Sequence, residues 1–458
     1  MPHFVTSYNR LSARSVILMF SITHQQKLVK IIAQVLLVAW LIYLPVNLFW
    51  KFDIDSAYVN GRLVDYLIPK IFVTDILMVS FVLFNLTQKK FRHQIATTLK
   101  NLFIDPSWLV ITFFFILLGL GQFFAGHQLI ATMTWMRLLL ITVFGLTVFN
   151  SQSITKLVIN LGLGLSILIQ TGLGLWQFFK QIPLAPYWVL GESRINQVID
   201  IAKFVWQGQE RVLAYGSTAH PNILAGVAVV FGLWLMELVT KSKLCPPSKL
   251  NPGQLILSPL ILQWLILSLI ILVLIITQSW SAGLGLVVGW SWFKSRSNLS
   301  VKTRKNVVAG LAFICLLILP FVIHLVSLEL PIDSIIRRDY LNRSAWVVWQ
   351  TQPIGGVGLD NITAHIEEPG LNVEIVRFVQ PPHQAGLVWL SETGLIGLIL
   401  LYLLIKQLIR THRQITTPAC LVALLPIAGL DHYLLTTQTG LLLILLTVLS
   451  LIKLNHKQ

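Results

Sequence analysis

An all-α, polytopic integral membrane protein is what this sequence predicts, and three observations carry the prediction. Hydrophobic residues make up 55% of the chain and charged residues only 11%, with a mean hydropathy of +0.76. Soluble domains carry about twice that share of charge. Apolar runs recur from one end to the other, and in lipid only helices or closed barrels satisfy their own backbone groups. The basic residues are also unevenly placed. When loops are assigned alternately to two sides, one side collects Lys27, Lys30, Lys89, Lys90, Arg92, Lys156, Lys294, Arg296, Lys302, Arg304, Lys406 and Lys453 among others, with Asp105 as its only clear acid. The other side mixes both signs and holds most of the carboxylates. The positive-inside rule then puts both termini in the cytoplasm.

Taken in order, residues 1–28 are polar and basic around a short apolar patch, Val16 to Phe20, with no small-residue cleavage site after it. They read as a cytoplasmic extension rather than a signal peptide, which leaves 29–454 as one membrane domain. Twelve spans fit the apolar runs, at roughly 29–49, 69–87, 107–124, 129–149, 157–179, 221–240, 255–276, 280–293, 306–327, 384–405, 418–434 and 437–454. The eighth is short, and it meets the seventh in a tight outer turn, Thr277 to Ser281. Two outer loops are large. Residues 181–219 begin with Pro183 and Pro186 and end near His220-Pro221-Asn222. Residues 328–383 hold an expected amphipathic helix, Asp333 to Gln350, and then a glycine-rich turn, Pro353-Ile354-Gly355-Gly356-Val357-Gly358. A smaller outer segment, Lys51 to Pro69, carries Tyr58, Asn60 and Tyr66. Polar residues gather on this outer side, so chemistry is expected there.

Composition also excludes. The net charge of +16 is explained by topology, and no basic run is interleaved with exposed aromatics, so a nucleic-acid partner is not expected. Cys315 and Cys420 fall in spans and Cys245 in an inner loop, which suggests neither a disulfide framework nor a metal cluster. The pairs Gly162/Gly164, Gly172/Gly174 and Gly283/Gly285 lack a strand-turn-helix context and read as close helix contacts. No fixed-period or inverted repeat is visible, which weakens a transporter reading.

The residues that could carry chemistry sit at loop-to-span junctions. Pro381 and Pro382 mark the entrance to the tenth span, so His383 stands at the mouth of the membrane. Gly394 lies eleven positions on, about three turns down and on nearly the same face. Arg337, Arg338 and Arg343 cluster upstream in the same outer loop, where the positive-inside rule gives them no role. Guanidinium groups suit phosphate, although Asp333, Asp339 and Glu329 nearby allow surface ion pairs instead. Arg211 in the other loop has the same two readings. An imidazole titrating near neutrality beside such arginines suits transfer from a lipid diphosphate to a hydroxyl. At membrane depth remain Asp75, Arg137, Glu392, Asp431 and His432. Asp75 and Arg137 could pair, Glu392 falls on the helical face away from His383 and suits a helix contact, and Asp431-His432 could lie beside the site.

These residues resemble a family. His383-Gln384, nine residues, then Gly394-Leu395-Ile396-Gly397 is similar to the histidine motif of the bacterial O-antigen ligases. Arg337 with Leu341 resembles their shorter arginine-leucine motif. Gln352 to Gly358, with Gly356 and Gly358, and Tyr215 to Asn222, with Pro221 and Asn222, look like two passages of the wider ligase and polymerase superfamily. Trp280 departs from the pattern, standing where many members have arginine. The resemblance covers roughly residues 200–454.

The resemblance implies a membrane glycosyltransferase that takes a glycan from undecaprenyl diphosphate at the outer leaflet. Arg337 and Arg338, with Arg211 and Arg343 as further candidates, would hold the diphosphate, and His383 would accept or orient the acceptor hydroxyl proton. The acceptor would be a glycan, lipid or protein hydroxyl. No outer carboxylates have metal-site spacing, so a reaction without metal or other cofactor is expected. A polymerase of the same superfamily and a lipid-linked oligosaccharide flippase remain as alternatives.

Overall fold

The computed structural model describes residues 13–59, 61–101, 105–151, 154–193, 195, 201–241, 259–329, 332–366, 380–411 and 417–453. Asn60, Cys245 and residues 1–12 lie outside the described residues.

Apolar runs without interior proline become helices, and the chain is built almost wholly of them. Helix α1 (Ala13–Tyr43) begins inside the stretch read as an extension and continues through the first expected span. A two-stranded ribbon follows, β1 (Phe49–Lys51) antiparallel to β4 (Lys70–Phe72) with Trp50 opposite Ile71. It encloses the small pair β2 (Tyr58–Val59) and β3 (Arg62–Leu63). Then come α2 (Val73–Leu86), α3 (Lys89–Asn101), α4 (Pro106–Gly121), α5 (Gln128–Asn150) and α6 (Lys156–Lys180). The first large outer loop holds the turn α7 (Tyr187–Leu190) and a hairpin, β5 (Lys203–Trp206) with β6 (Gln209–Val212). The hairpin closes on Gln207 and Gly208, with φ of 51° and 77°, the left-handed pair that a tight two-residue turn needs.

Helix α8 (Pro221–Lys241) is the axle of the molecule. Its sequence is apolar all round, which suits only a helix enclosed on every side, and 94% of its apolar window is buried. It is ringed by α6, α9 (Pro259–Thr277), α10 (Trp280–Ser295), α16 (Ala419–Leu430) and α18 (Gln438–Lys453). Phe231, Trp234 and Met236 of α8 join Trp40, Phe81, Phe144 and Leu442 in the main core. By contrast, α11 (Val301–Phe313), the π-helical turn Ile314–Ile318 and α12 (Leu319–Glu329) form one continuous apolar rod of which only 6% is buried. That rod presents apolar side chains outward, as a lipid-facing helix must.

The expected amphipathic helix is α13 (Asp333–Thr351). After the short α14 (Ile362–His365), the chain re-enters through α15 (Ala385–Thr411), then α16, the turn α17 (Tyr433–Thr436) and α18. Among the described residues, six helices are long and apolar enough to cross a membrane: α5, α6, α8, α9, the rod 301–329 and α15. Residues 73–86, 109–124, 419–430 and 438–451 are apolar but shorter. Helix α16 has 12 residues and so rises ~18 Å, stopping at Asp431 well short of the hydrocarbon thickness. The architecture is that of an all-α, multi-pass membrane protein.

Helix α15 corrects one expectation. Gly394 does not smooth a continuous face: the helix is broken there, with φ 61° and ψ −163°, a conformation open essentially to glycine alone. The glycine-rich turn of the outer loop plugs into the break. Val357 and Gly358 donate N–H to the carbonyls of Ser391 and Glu392 (3.0 and 2.9 Å), while Leu395 and Ile396 donate to Pro353 and Ile354 (2.9 and 3.1 Å). A Cβ on Gly394 would stand 2.3 Å from the Ile354 carbonyl oxygen, and one on Gly356 2.3 Å from the Glu392 carbonyl carbon. Backbone replaces backbone across the joint, so a buried kink is left with few unpaired groups.

Candidate functional site

The N-terminal ends of α8, α10, α13 and α15 and the break after α16 bring polar side chains to one recess. His383 sits where the prolines stop the loop and α15 begins, with its side chain 16% exposed. Its Nδ1 lies 3.5 Å from Oδ1 of Asp431, and its Nε2 lies 3.3 Å from Oε1 of Gln380. Asp431 is 3% exposed and held from two more directions. Ser281, in the first turn of α10, donates to Oδ2 at 2.5 Å. The Asn222 side-chain amide, in the first turn of α8, donates to both carboxylate oxygens at 3.3 and 3.2 Å. Each of these groups owes its place to a helix terminus: Pro221 opens α8, Ser279 precedes α10, and Asp431 closes α16.

Two more imidazoles line the recess. The His432 ring centroid is 5.0 Å from that of His383 and 5.8 Å from that of Tyr66, and its Nδ1 is 2.6 Å from the Thr436 hydroxyl. His220 caps α8: its carbonyl accepts from Ile223 and Leu224, and its Nδ1 accepts the Asn222 backbone N–H at 3.1 Å. The surrounding protein, together with His383 and Arg338, holds its pKa below the ordinary histidine value against the opposing pull of Asp431. Arg338 acts electrostatically on His220, Asp431 and His432 alike. It lies at the head of the α13 face that buries Leu341, Ala345 and Val348, which turns it inward. One turn on, Asn342 is 6% exposed, with neither its amide nitrogen nor its oxygen bonded to protein.

The arginines expected to act together are therefore separated. Arg338 reaches the recess. Arg337 is half-buried beside it on α13, one turn before the fully buried Leu341. Arg343 pairs with Asp339 at 3.0 Å, and Asp339 also meets His324 at 3.0 Å, so its ion-pair reading is the one realised. Arg211 lies in β6 opposite Phe204, which stacks on Phe178 of α6, and no described hydrogen bond or ion pair joins it to His383.

The motif residues have structural work. Gln384 caps α15 by accepting the Leu387 N–H, and its amide donates to the Leu316 carbonyl in the π-helical turn at 2.7 Å. Gly397 faces the Thr393 hydroxyl, which a Cβ would meet at 1.9 Å, and Gly358, at φ 99°, lies against Ala125. Glu392 is 5% exposed, and its backbone carbonyl accepts the Gly358 N–H of the docked turn. Asp75 does meet Arg137, at 3.8 Å, while also accepting from Gln438 at 2.7 Å. Ser281 and His220 were not singled out by the sequence. The legible trace of each is a polar residue beside a helix start, which is common in any helical protein.

Chemically, the recess offers a histidine oriented by a buried carboxylate, hydrogen-bond donors at a helix N-terminus, and a guanidinium facing them. Set against known proteins, no family model matches the chain, and no curated protein matches it.

Proposed function

We propose that the chain is a membrane glycosyltransferase that moves a glycan from a polyprenyl diphosphate to a hydroxyl acceptor at the outer face, in the manner of the O-antigen ligases it resembles. One observation supports this most: His383 lies against Asp431, whose other contacts come from the starts of α8 and α10. With Nδ1–H directed at the carboxylate, Nε2 becomes the basic nitrogen once the acceptor hydroxyl takes the place of the Gln380 amide oxygen beside it. It takes the proton of the acceptor hydroxyl as that oxygen forms its bond to the anomeric carbon. The bond to the diphosphate breaks with its electron pair on the leaving oxygen, and inversion follows. Arg338 offsets the charge that builds there, with Arg337 as its neighbour on the donor side.

The topology proposed with this reading has twelve crossings, both termini in the cytoplasm and the recess on the periplasmic side. The shorter helices cross with the help of their neighbours, as broken helices do where they line a cavity. The histidine motif favours a ligase over a polymerase.

The test is a transfer assay with purified protein and a lipid-linked glycan donor. His383→Ala, inserted at wild-type level, should lose activity by on the order of 10²- to 10⁴-fold, the usual contribution of a general base. Full activity in that variant would remove the mechanism. A wild-type protein that moves lipid-linked glycan between leaflets without transferring it would replace the enzyme reading by a flippase.

A further inference from the structure

His220 lies within the Tyr215–Asn222 passage, where the sequence assigns it no role of its own, yet its geometry is specific. It is the residue before α8, and its Nδ1 accepts the Asn222 backbone N–H at 3.1 Å, as a serine or aspartate oxygen does at other helix starts. A backbone N–H can only donate, so Nδ1 is unprotonated and the neutral ring carries its proton on Nε2. Tyr215 to Thr218, just before it, are buried, whereas His220 is exposed. Its free edge opens into the recess, within electrostatic reach of Asp431, His383 and Arg338. His432 and the Tyr215 ring complete its surroundings. Asn222 ties the two histidines together. Its backbone fixes the tautomer of His220, and its side chain holds the carboxylate that faces His383.

Resting on the reading above, we propose that His220 binds the diphosphate of the donor and steadies it as it leaves, through a hydrogen bond from Nε2–H. The two rings then have opposite tasks. The acceptor proton goes to Nε2 of His383, the acceptor oxygen bonds to the anomeric carbon, and the departing electron pair comes to rest on the diphosphate oxygen. His220 donates a hydrogen bond to the diphosphate and keeps its own proton. An anion is the ligand that fits, because the positive end of α8 and the Arg338 guanidinium flank the same donor.

Binding of farnesyl diphosphate to the purified full-length protein, followed calorimetrically, tests this. His220→Asn keeps an acceptor for the Asn222 N–H, and asparagine is a good helix cap, but it lacks the distal donor. It should melt as the wild type does and bind farnesyl diphosphate about tenfold more weakly, the loss expected for one hydrogen bond to a charged group. His220→Gln, whose amide reaches further, should recover part of that affinity. Wild-type affinity in His220→Asn would overturn the role of His220 and leave the donor reading standing. No binding of farnesyl diphosphate by the wild-type protein would overturn the donor reading and this inference with it.

Discussion

At the scale of single residues, the carboxylate of Asp431 decides how the recess is organised. It is almost wholly buried and receives Ser281 and Asn222 while facing His383. A buried carboxylate must be compensated, and here the compensating groups are the ones a reaction would use. Asp431→Asn keeps the shape but can present an amide N–H to the His383 ring, which favours the wrong tautomer. On the proposed mechanism kcat should fall on the order of 10²-fold, with KM for the donor little changed, as steady-state assays at saturating acceptor would show. Equal losses in kcat and donor affinity would instead make Asp431 a binding residue. His383 was legible because prolines place it at a helix entrance. Asp431 was legible as a charge at membrane depth that could lie beside the site, but nothing local says which histidine it meets.

At the scale of elements, glycines decide which segments can interlock. Gly394→Ala should cost roughly 2–4 kcal/mol, since it combines a conformation reserved for glycine with overlap against the Ile354 carbonyl. Thermal unfolding in detergent would register this, and an unchanged melting temperature would mean that the turn 353–358 is not seated in the break. The glycine pairs divide in an instructive way. A Cβ on Gly285 would meet the Ala423 carbonyl oxygen at 2.8 Å, whereas Gly283 has nothing within 4 Å. Gly285→Ala should therefore destabilise by about 1–3 kcal/mol, and Gly283→Ala should be neutral or stabilise by up to about 1 kcal/mol. The same contrast separates Gly162, against Leu41, from Gly164, and Gly174, against Ile276, from Gly172. Sequence spacing marked all six as contact glycines. Only rotation about each helix axis, fixed by the neighbours, selects the one that touches.

At the scale of the whole molecule, the ends of α8, α10 and α16 away from the recess are pinned together by one buried ion pair. Arg296 donates to Glu237 at 2.6 Å and to the Thr417 carbonyl at 3.0 Å, while the Ala419 N–H donates to the same Glu237 oxygen at 2.5 Å. Arg296→Met leaves a carboxylate 1% exposed without its cation and should cost about 3–5 kcal/mol. The double change with Glu237→Met should cost clearly less, because no buried charge is left alone. Equal melting points for the single and double variants would show that the pair does not act as the pin. The recess and this clamp lie at opposite ends of the same three helices, so α8, α10 and α16 carry both. Composition and apolar runs by themselves determined the helical membrane class, the helix at 333–351 and the position of His383 at a helix mouth, because these depend on hydropathy and on proline, which act locally. Tertiary structure alone decided that Arg338 faces the recess while Arg343 pairs with Asp339, that Gly394 breaks its helix, and that His220, Ser281 and Asp431 gather around His383. Those outcomes depend on helix rotation and on contacts between segments far apart in the chain, and no local pattern of residues encodes either.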